Sequence, residues 1–387
     1  MIKIEKLIPG GMALATMPDG KKGFFWNALP EEIITDYVVT KNKAHYFEAI
    51  AKTIEHPSKF RQSPKDECFL STSPWQILNY DFELNQKQAL IVEIFREQRI
   101  TIEPPEIFTD QHDFYYRNKM EYALYWDNEH NLITPAFHTR GSHRKIPIIT
   151  SSIERPELFK TAQKIIDELN QKHEEARKYQ SLLLRCNQNG EVSGGLYENG
   201  KPHPVFQNLT DTILGQTYSY SPNGFFQINL PVYEMALAEI KKHINTNNVL
   251  DLYSGVGTIG LSVASDRNLT LVEVDKSAFR ELENNCQATN NASPRAVLAK
   301  SEAVLDYIVQ EQTIILDPPR AGLNPKLVAR LAEVKPRTII YLSCNPITQA
   351  RDIKPLLDYY DIKTIKTYNF FPHTPHIENI VVLSRNS

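Results

Sequence analysis

The sequence predicts an α/β protein. Its C-terminal part reads as an open, mostly parallel sheet with helices on both faces, preceded by a small N-terminal β-barrel and a central α+β segment. Three observations carry this. From about residue 221 onward, short β-branched runs alternate with helical stretches at the spacing of βαβ units. Residues 1–60 instead hold short strands punctuated by turns such as Pro9-Gly10-Gly11 and Pro18-Asp19-Gly20. With 387 residues, 41% hydrophobic and 23% charged, the chain has the length and composition of two or three ordinary globular domains.

In the N-terminal segment, Ile2-Lys3-Ile4, Ala13-Leu14-Ala15-Thr16, Gly23-Phe24-Phe25-Trp26 and the stretch from Ile33 to Val39 are the expected strands. Residues 61–220 form the central segment. The apolar spacing of Ile77, Leu78, Phe82, Leu84, Leu90, Ile91 and Ile94 predicts a helix from about Trp75 to Gln98. A second helix is expected from Glu157 to Gln180, with strands around Leu182 to Leu184 and from Val192 to Tyr197. Residues 221–387 carry predicted strands at 248–253, 269–274, 295–298, 313–316, 338–342, 362–368 and 379–383. Sheets of this kind bind ligands beyond the carboxyl ends of their strands.

Composition narrows the function. No run of 18 apolar residues exists, so no transmembrane helix is expected, and Met1 to Lys6 lacks the apolar stretch of a secretory leader. Cys68, Cys186, Cys286 and Cys344 are far apart and form no C-x-x-C pair, which argues against a disulfide framework or a zinc ribbon. A reducing, cytoplasmic setting is expected. The net charge of −3 announces no nucleic-acid partner, so any such contact requires local clustering of positive charge. One stretch provides it: no acid lies between Glu129 and Glu154, where Arg140, His143, Arg144 and Lys145 crowd together.

Five stretches carry chemistry. Asp251-Leu252-Tyr253-Ser254-Gly255-Val256-Gly257 follows a strand and opens a helix, and Glu273 ends the next strand, where a carboxylate can accept both ribose hydroxyls of an adenosine cofactor. The loop also fits a nicotinamide dehydrogenase. Asp251 favours S-adenosylmethionine, because it attracts a cationic methionine end and sits badly beside a pyrophosphate. Asp317-Pro318-Pro319-Arg320 places a carboxylate on a stiff turn after a strand. Leu342-Ser343-Cys344-Asn345-Pro346 puts a thiol at the ligand-facing edge of the sheet; the other three cysteines read as buried and inert. Pro375-His376-Ile377-Glu378 enters the last strand, so Glu378 is a base near Cys344 if that strand lies beside the fifth, with His376 placed to orient it. Phe225-Phe226-Gln227-Ile228-Asn229 offers amide groups suited to a cofactor's polar end.

In order and spacing these stretches resemble the RNA (uracil-5-)-methyltransferase family over roughly residues 220–383. Tyr116-Arg117-Asn118-Lys119-Met120-Glu121 and Gly141-Ser142-His143-Arg144 resemble its central domain, and residues 1–57 its N-terminal RNA-binding TRAM barrel. The resemblance implies a C-terminal class I (Rossmann-like) methyltransferase domain that uses S-adenosylmethionine. It implies Cys344 as nucleophile and Glu378 as base, with Gln227, Tyr253, Gly255, Glu273 and Asp317 at the cofactor. The barrel points to the ribosomal-RNA branch, 23S ribosomal RNA in particular, with the transfer-RNA T-loop as the alternative and a non-catalytic RNA-binding protein as a further one. Many ribosomal-RNA members hold an iron–sulfur cluster through four cysteines. Here only Cys68 stands in that region, followed by Ser71-Thr72-Ser73-Pro74, so no iron–sulfur cluster is expected, and no other metal. Ser254 stands where many relatives have cysteine. RNA is the expected partner, with Tyr116, Arg117 and Arg144 as candidate contacts, no membrane, and a monomeric chain.

Overall fold

The computed structural model describes residues 1–289 and 294–386. Strands β1 (Ile2–Lys3), β2 (Lys6–Leu7), β3 (Ala13–Thr16), β4 (Lys22–Trp26), β5 (Ile33–Asn42) and β6 (Tyr46–His56) form one sheet in the order β1-β5-β6-β4-β3-β2. Its two outer strands belong to the same stretch of chain. Between them, the Ile4 N–H donates to the Glu32 carbonyl at 2.9 Å and the Glu5 N–H to the Leu14 carbonyl at 2.8 Å, so the sheet closes on itself. Ala13, Ala15, Phe25, Phe47, Ala49 and Ala51 alternate into its interior.

The central segment starts with a short helix α1 (Phe69–Thr72) and the longer α2 (Tyr80–Glu97). The latter starts later than the apolar spacing predicts, because Asn79 caps it by accepting the Phe82 N–H at 2.8 Å. Trp75 is buried outside the helix, its Nε1–H bonded to the Gly11 carbonyl at 2.9 Å. After β7 (Ile107–Phe108), strands β8 (Lys119–Asp127), β9 (Leu132–His138) and β10 (Lys145–Pro147) lead to α3 (Pro156–Gln171). Helix α3 ends well before Gln180: His173 turns left-handed at φ 53° and the Glu174 N–H closes back on the Leu169 carbonyl. Strands β11 (Ser181–Cys186), β12 (Val192–Glu198) and β13 (Lys201–His203) complete an antiparallel sheet, β10-β9-β8-β11-β12-β13. One core joins Tyr122, Leu124, Leu182 and Leu184 of this sheet to Leu158, Ala162 and Ile166 of α3.

The hairpin β14 (Leu209–Ile213) and β15 (Gln216–Tyr220) precedes α4 (Leu230–Lys242). Then β16 (Asn248–Leu252), α5 (Thr258–Ala264), β17 (Asn268–Glu273), α6 (Lys276–Ala288), β18 (Arg295–Leu298) and β19 (Gln312–Leu316) alternate as expected. They are followed by α7 (Pro325–Val334), β20 (Thr338–Ser343), α8 (Pro346–Ile353), β21 (Tyr360–Tyr368) and β22 (Glu378–Arg385). The sheet order is β18-β17-β16-β19-β20-β22-β21-β7. Strands β16 to β20 are mutually parallel, while β22 inserts antiparallel between β20 and β21. Strand order reverses between β16 and β19, so the ligand crevice opens at their carboxyl ends.

Packing crosses the boundary expected at residue 220. The hairpin lies on the parallel-sheet unit, with the Tyr218 hydroxyl 2.6 Å from Ser262 Oγ and the Asn285 side chain bonded to the backbone of Ser219. Helix α2 shares a core with it too: Leu90, Ile91 and Ile94 join Ala350, Ile353 and Leu356.

Gly257 caps α5 at φ 91°, where an added Cβ would sit 2.6 Å from Leu282 Cδ1 and 2.9 Å from Leu261 Cδ1. Gly257→Ala is therefore expected to destabilise by about 1–3 kcal/mol. Thermal unfolding followed by circular dichroism checks it, and an unshifted Tm contradicts it.

Candidate active site

The crevice is built by turns at the carboxyl ends of β16, β17, β19 and β20 and by the chain entering β22. Ser343 pairs with Asn379 across β20 and β22, so Cys344, one residue past β20, stands level with Glu378, the first residue of β22. The thiol turn has a local cause. Pro346 starts α8, and Asn345 caps it by accepting the Ile347 N–H at 3.3 Å. The Asn345 amide also donates to the Arg320 carbonyl at 2.8 Å, joining the thiol turn to the turn that carries Asp317.

Beside Cys344 opens a cavity of about 400 Å³. Its lining includes Arg320, Asn345, Thr374 and His376, Arg140 and Thr72, and Pro9 and Gly10 of the β2–β3 turn. All three parts of the chain thus contribute to the lining. Arg140 is half-buried, with its guanidinium 4.3 Å from the centre of the Trp26 ring and its Nε–H on the Leu70 carbonyl.

The centre of the site gathers buried acidic groups. Burial, then the Glu378 and Asp317 carboxyls, push the half-buried Cys344 thiol up to about 11, with Arg320 acting the other way. Burial and then Asp317 hold the Glu378 carboxyl well above the usual carboxylate range. Asp317 keeps an accessible edge, yet burial of its carboxyl raises it to about 7. Each of these groups favours its neutral form until a positive charge arrives.

A second recess, of about 200 Å³, lies beyond β17, lined by Tyr253, Val272, Glu273, Val274 and Ser301 among others. Glu273 is locked there: it accepts the N–H groups of Gly255 at 2.8 Å, Val274 at 2.7 Å and Asp275 at 2.6 Å. Tyr253 sits at φ 66°, a conformation unusual for a bulky residue and common at functional sites. A fixed carboxylate in a nucleoside-sized recess, next to an acidic centre, is a donor set that fits S-adenosylmethionine, ribose at Glu273 and cationic end toward Asp317.

Some expectations change. Asp251 is not in the loop but within β16, fully buried, where its Oδ2 accepts the Gly260 N–H at 2.9 Å and its Oδ1 has no partner. Burial, with the Asp317 and Glu273 carboxyls nearby, pushes it up to about 8. Tyr116, expected on an RNA surface, is buried and donates its hydroxyl to the Pro372 carbonyl at 3.0 Å. Arg117 bonds the Lys119 carbonyl at 2.9 Å; Arg144 is exposed. The stretch around them is a clamp. Asn118 donates to the Gln227 carbonyl, Lys119 to the Asn223 and Gly224 carbonyls, and Arg185 to the Phe226 carbonyl, each at 3.0 Å. Gln227 is buried by this clamp. His376 Nδ1 is 2.9 Å from the Arg320 guanidinium, so its hydrogen bond goes to Arg320. Cys68 and Cys186 are buried as expected, whereas Cys286 is half-buried. Among the described residues, no group of three or more His, Cys, Asp or Glu could hold a metal ion. Around Cys68, the Asp66 carboxylate is taken up by the Ser152 backbone and hydroxyl and the Gln76 amide. Sequence reasoning missed Arg140 and the Pro9-Gly10 turn as cavity residues; only the acid-free stretch around Arg140 pointed near them.

Comparisons with known proteins point to RNA methyltransferases. Residues 303–386, which include Asp317, Cys344 and Glu378, match the family model described as tRNA (Uracil-5-)-methyltransferase. An uncharacterised RNA methyltransferase of Enterococcus faecalis is 27% identical over 99% of this chain and 96% of its own. One from Nanoarchaeum equitans is 27% identical over 93% of this chain and 88% of its own. Among solved structures, the Pyrococcus abyssi tRNA (uracil-54, C5)-methyltransferase in complex with S-adenosyl-L-homocysteine overlaps with a TM-score of 0.78 at 24% identity, over 99% of this chain and 100% of that one. The chain is thus related over its length to RNA methyltransferases and shares the fold of the archaeal enzyme.

The raised Asp317 has a thermodynamic consequence. Because the native state holds this proton more tightly than the unfolded chain, the stability it contributes is present below the ordinary value of 3.8 and is lost as pH rises through about 7. Asp317→Asn removes that loss. Its Tm is expected above the parent's at pH 8, with the gap closing at pH 4; equal Tm values at pH 8 contradict the assignment.

Proposed function

We propose that this chain transfers a methyl group from S-adenosylmethionine to C5 of a uridine in RNA, with Cys344 as nucleophile and Glu378 as base. The observation that supports this most strongly is the Ser343–Asn379 pair of β20 and β22, which brings Cys344 and Glu378 to neighbouring strand ends, with Asp317 and Glu273 at the ends of β19 and β17.

Uracil C5 is a weak nucleophile. The Cys344 thiolate adds to C6: the S–C6 bond forms and the C5=C6 electron pair moves into an enolate ending at O4, which makes C5 electron-rich. S-adenosylmethionine, when bound, supplies the electrophilic methyl group that C5 takes. The Glu378 carboxylate then removes the remaining C5 hydrogen as a proton, the C5=C6 bond re-forms, and the thiolate leaves C6. Glu273 is suited to the ribose hydroxyls, and Gln227, Tyr253, Gly255 and Asp317 to the rest of the cofactor. A positive charge in the crevice favours the ionised forms of Cys344 and Glu378, which the bare site disfavours.

A uridine stacked inside a helix cannot reach this cavity, so the target is a flipped base in a loop or single strand. The 400 Å³ pocket has the capacity for a nucleobase, and the barrel turn beside it gives the N-terminal unit a reason to bind RNA. Ribosomal and transfer RNA both present such uridines. The sequence favoured 23S ribosomal RNA on account of the barrel. The overlap with the Pyrococcus abyssi enzyme runs through the barrel as well, and that enzyme acts on transfer RNA, which supports the T-loop as the second reading. A cytoplasmic monomer fits either.

With labelled cofactor and bulk RNA lacking 5-methyluridine, Cys344→Ala is expected to lose methyl transfer by about 10³-fold or more. Glu378→Gln is expected to accumulate a covalent RNA adduct that denaturing gels retain. Undiminished transfer by the first variant, or turnover without adduct by the second, overturns the respective role. Mapping 5-methyluridine in ribosomal and transfer RNA with and without the protein separates the two substrates.

A further inference from the structure

We propose that His376 is a catalytic residue that donates its Nε2–H to O4 of the target uracil, stabilising the enolate formed when Cys344 adds to C6. This rests on the proposed function and assigns a group to the one charge that the thiol and the carboxylate leave unattended.

The assignment begins with a tautomer. A guanidinium has only donors, so at 2.9 Å from Arg320 Nη2 the His376 Nδ1 must accept. The ring hydrogen then sits on Nε2, at the other end of the imidazole. The ring lines the same cavity as Cys344, and Glu378 follows two residues later. Its orientation is fixed from several sides. The His376 N–H bonds Thr374 Oγ1 at 3.3 Å, and the Phe371 ring meets the imidazole edge-on at 5.6 Å between centroids. Arg320 is itself anchored through its carbonyl to the Asn345 amide at 2.8 Å and the Thr348 hydroxyl at 3.3 Å, in the turn that carries the thiol. Nucleophile and donor are therefore parts of one hydrogen-bonded unit.

Burial, followed by the positive charges of Arg320, Lys87, Arg117 and Arg140, lowers this imidazole to about 4, so near neutral pH it is an uncharged donor. Accepting from a guanidinium polarises the ring and strengthens its N–H for a developing oxyanion. The electron balance needs no further reactant. The pair displaced from C5=C6 rests on O4, shared with the Nε2 hydrogen, and returns when C5 takes the methyl group.

The test uses RNA with uridine, 4-thiouridine or 5-fluorouridine at the mapped target; fluorine blocks proton removal and traps the adduct. His376→Phe is expected to slow adduct formation with the 5-fluorouridine RNA by about 10²–10³-fold at unchanged RNA affinity. His376→Gln, whose amide can donate, is expected to recover part of it. Sulfur is a poor acceptor, so the wild-type protein is expected to methylate 4-thiouridine more slowly than uridine, and His376→Gln and His376→Phe to lose that distinction progressively. Adduct formation by His376→Phe at the wild-type rate, or a sulfur penalty unchanged in the variants, overturns the role; a lost affinity with an unchanged adduct rate marks a merely structural residue and overturns it equally. If a variant fails to fold, the absence of any sulfur penalty in the wild-type protein still refutes the donor. Failure of the wild-type protein to form any adduct overturns the proposed function itself, a result distinct from all of these.

Discussion

Everything at this site depends on the direction of one strand. Because β22 runs antiparallel between β20 and β21, its amino end meets the carboxyl end of β20, and Glu378 arrives opposite Cys344. Were β22 parallel to β20 like its neighbours, its first residue would lie at the far edge of the sheet, roughly 15–20 Å away at about 3.3 Å per residue. The thiol and the carboxylate would share a sheet but not a ligand. The same reversal brings the 369–377 segment, with His376, across the top of the crevice.

That segment is pinned from outside the parallel-sheet unit. Lys87 of α2, fully buried, reaches Glu83 at 2.7 Å, Asn369 Oδ1 at 2.6 Å and the Phe371 carbonyl at 3.1 Å. Glu83 in turn accepts the His373 N–H, and His373 Nε2 meets Asp113 at 3.0 Å. Burying an ion pair returns little stability against a well-packed apolar core, but removing one partner strands the other, which makes such a pair an effective lock on geometry. Burial lowers the Lys87 ammonium from its ordinary value, with Glu83 opposing, so the lock holds only while both partners are present. Trp75 ties the same segment to the barrel, through its N–H to the His373 carbonyl and its ring N–H to Gly11. The central segment and the N-terminal sheet therefore help set the geometry around Cys344 and Glu378.

The legible parts of the sequence were those with local causes. Buried parallel strands write continuous apolar runs, as in Ile314-Ile315-Leu316 and Ile339-Ile340-Tyr341-Leu342, and all seven predicted strands of the C-terminal sheet overlap observed ones. The turn that opens a helix after Gly257 was equally local. Strand β6 was missed because its inward positions, Phe47, Ala49 and Ala51, are mostly small while its outward ones mix Glu48 and Lys52 with Tyr46 and Ile50, so the hydrophobic contrast between its faces is slight. Helix ends at Asn79 and His173 depended on a cap and a left-handed turn rather than on apolar period. The roles of Tyr116, Arg140 and the Pro9-Gly10 turn depend on contacts between residues far apart in sequence, which periodicity does not encode.

The acidity of the crevice links folding to function. Asp317, Glu378 and the fully buried Asp251 are displaced toward their neutral forms, so near neutral pH the folded chain holds protons that the unfolded chain would release, and Cys344 is moved further from ionising. That is a standing cost in stability, and it keeps the thiol in its unreactive form. A cation entering the crevice reverses the balance, and by linkage its binding is coupled to loss of protons from this group of acids. On the proposed mechanism, the arming of Cys344 and the arrival of a positively charged methyl donor would be one thermodynamic event. On that mechanism a thiolate would form when the group it works with is present, and the bare site would be protected from wasteful addition to passing bases.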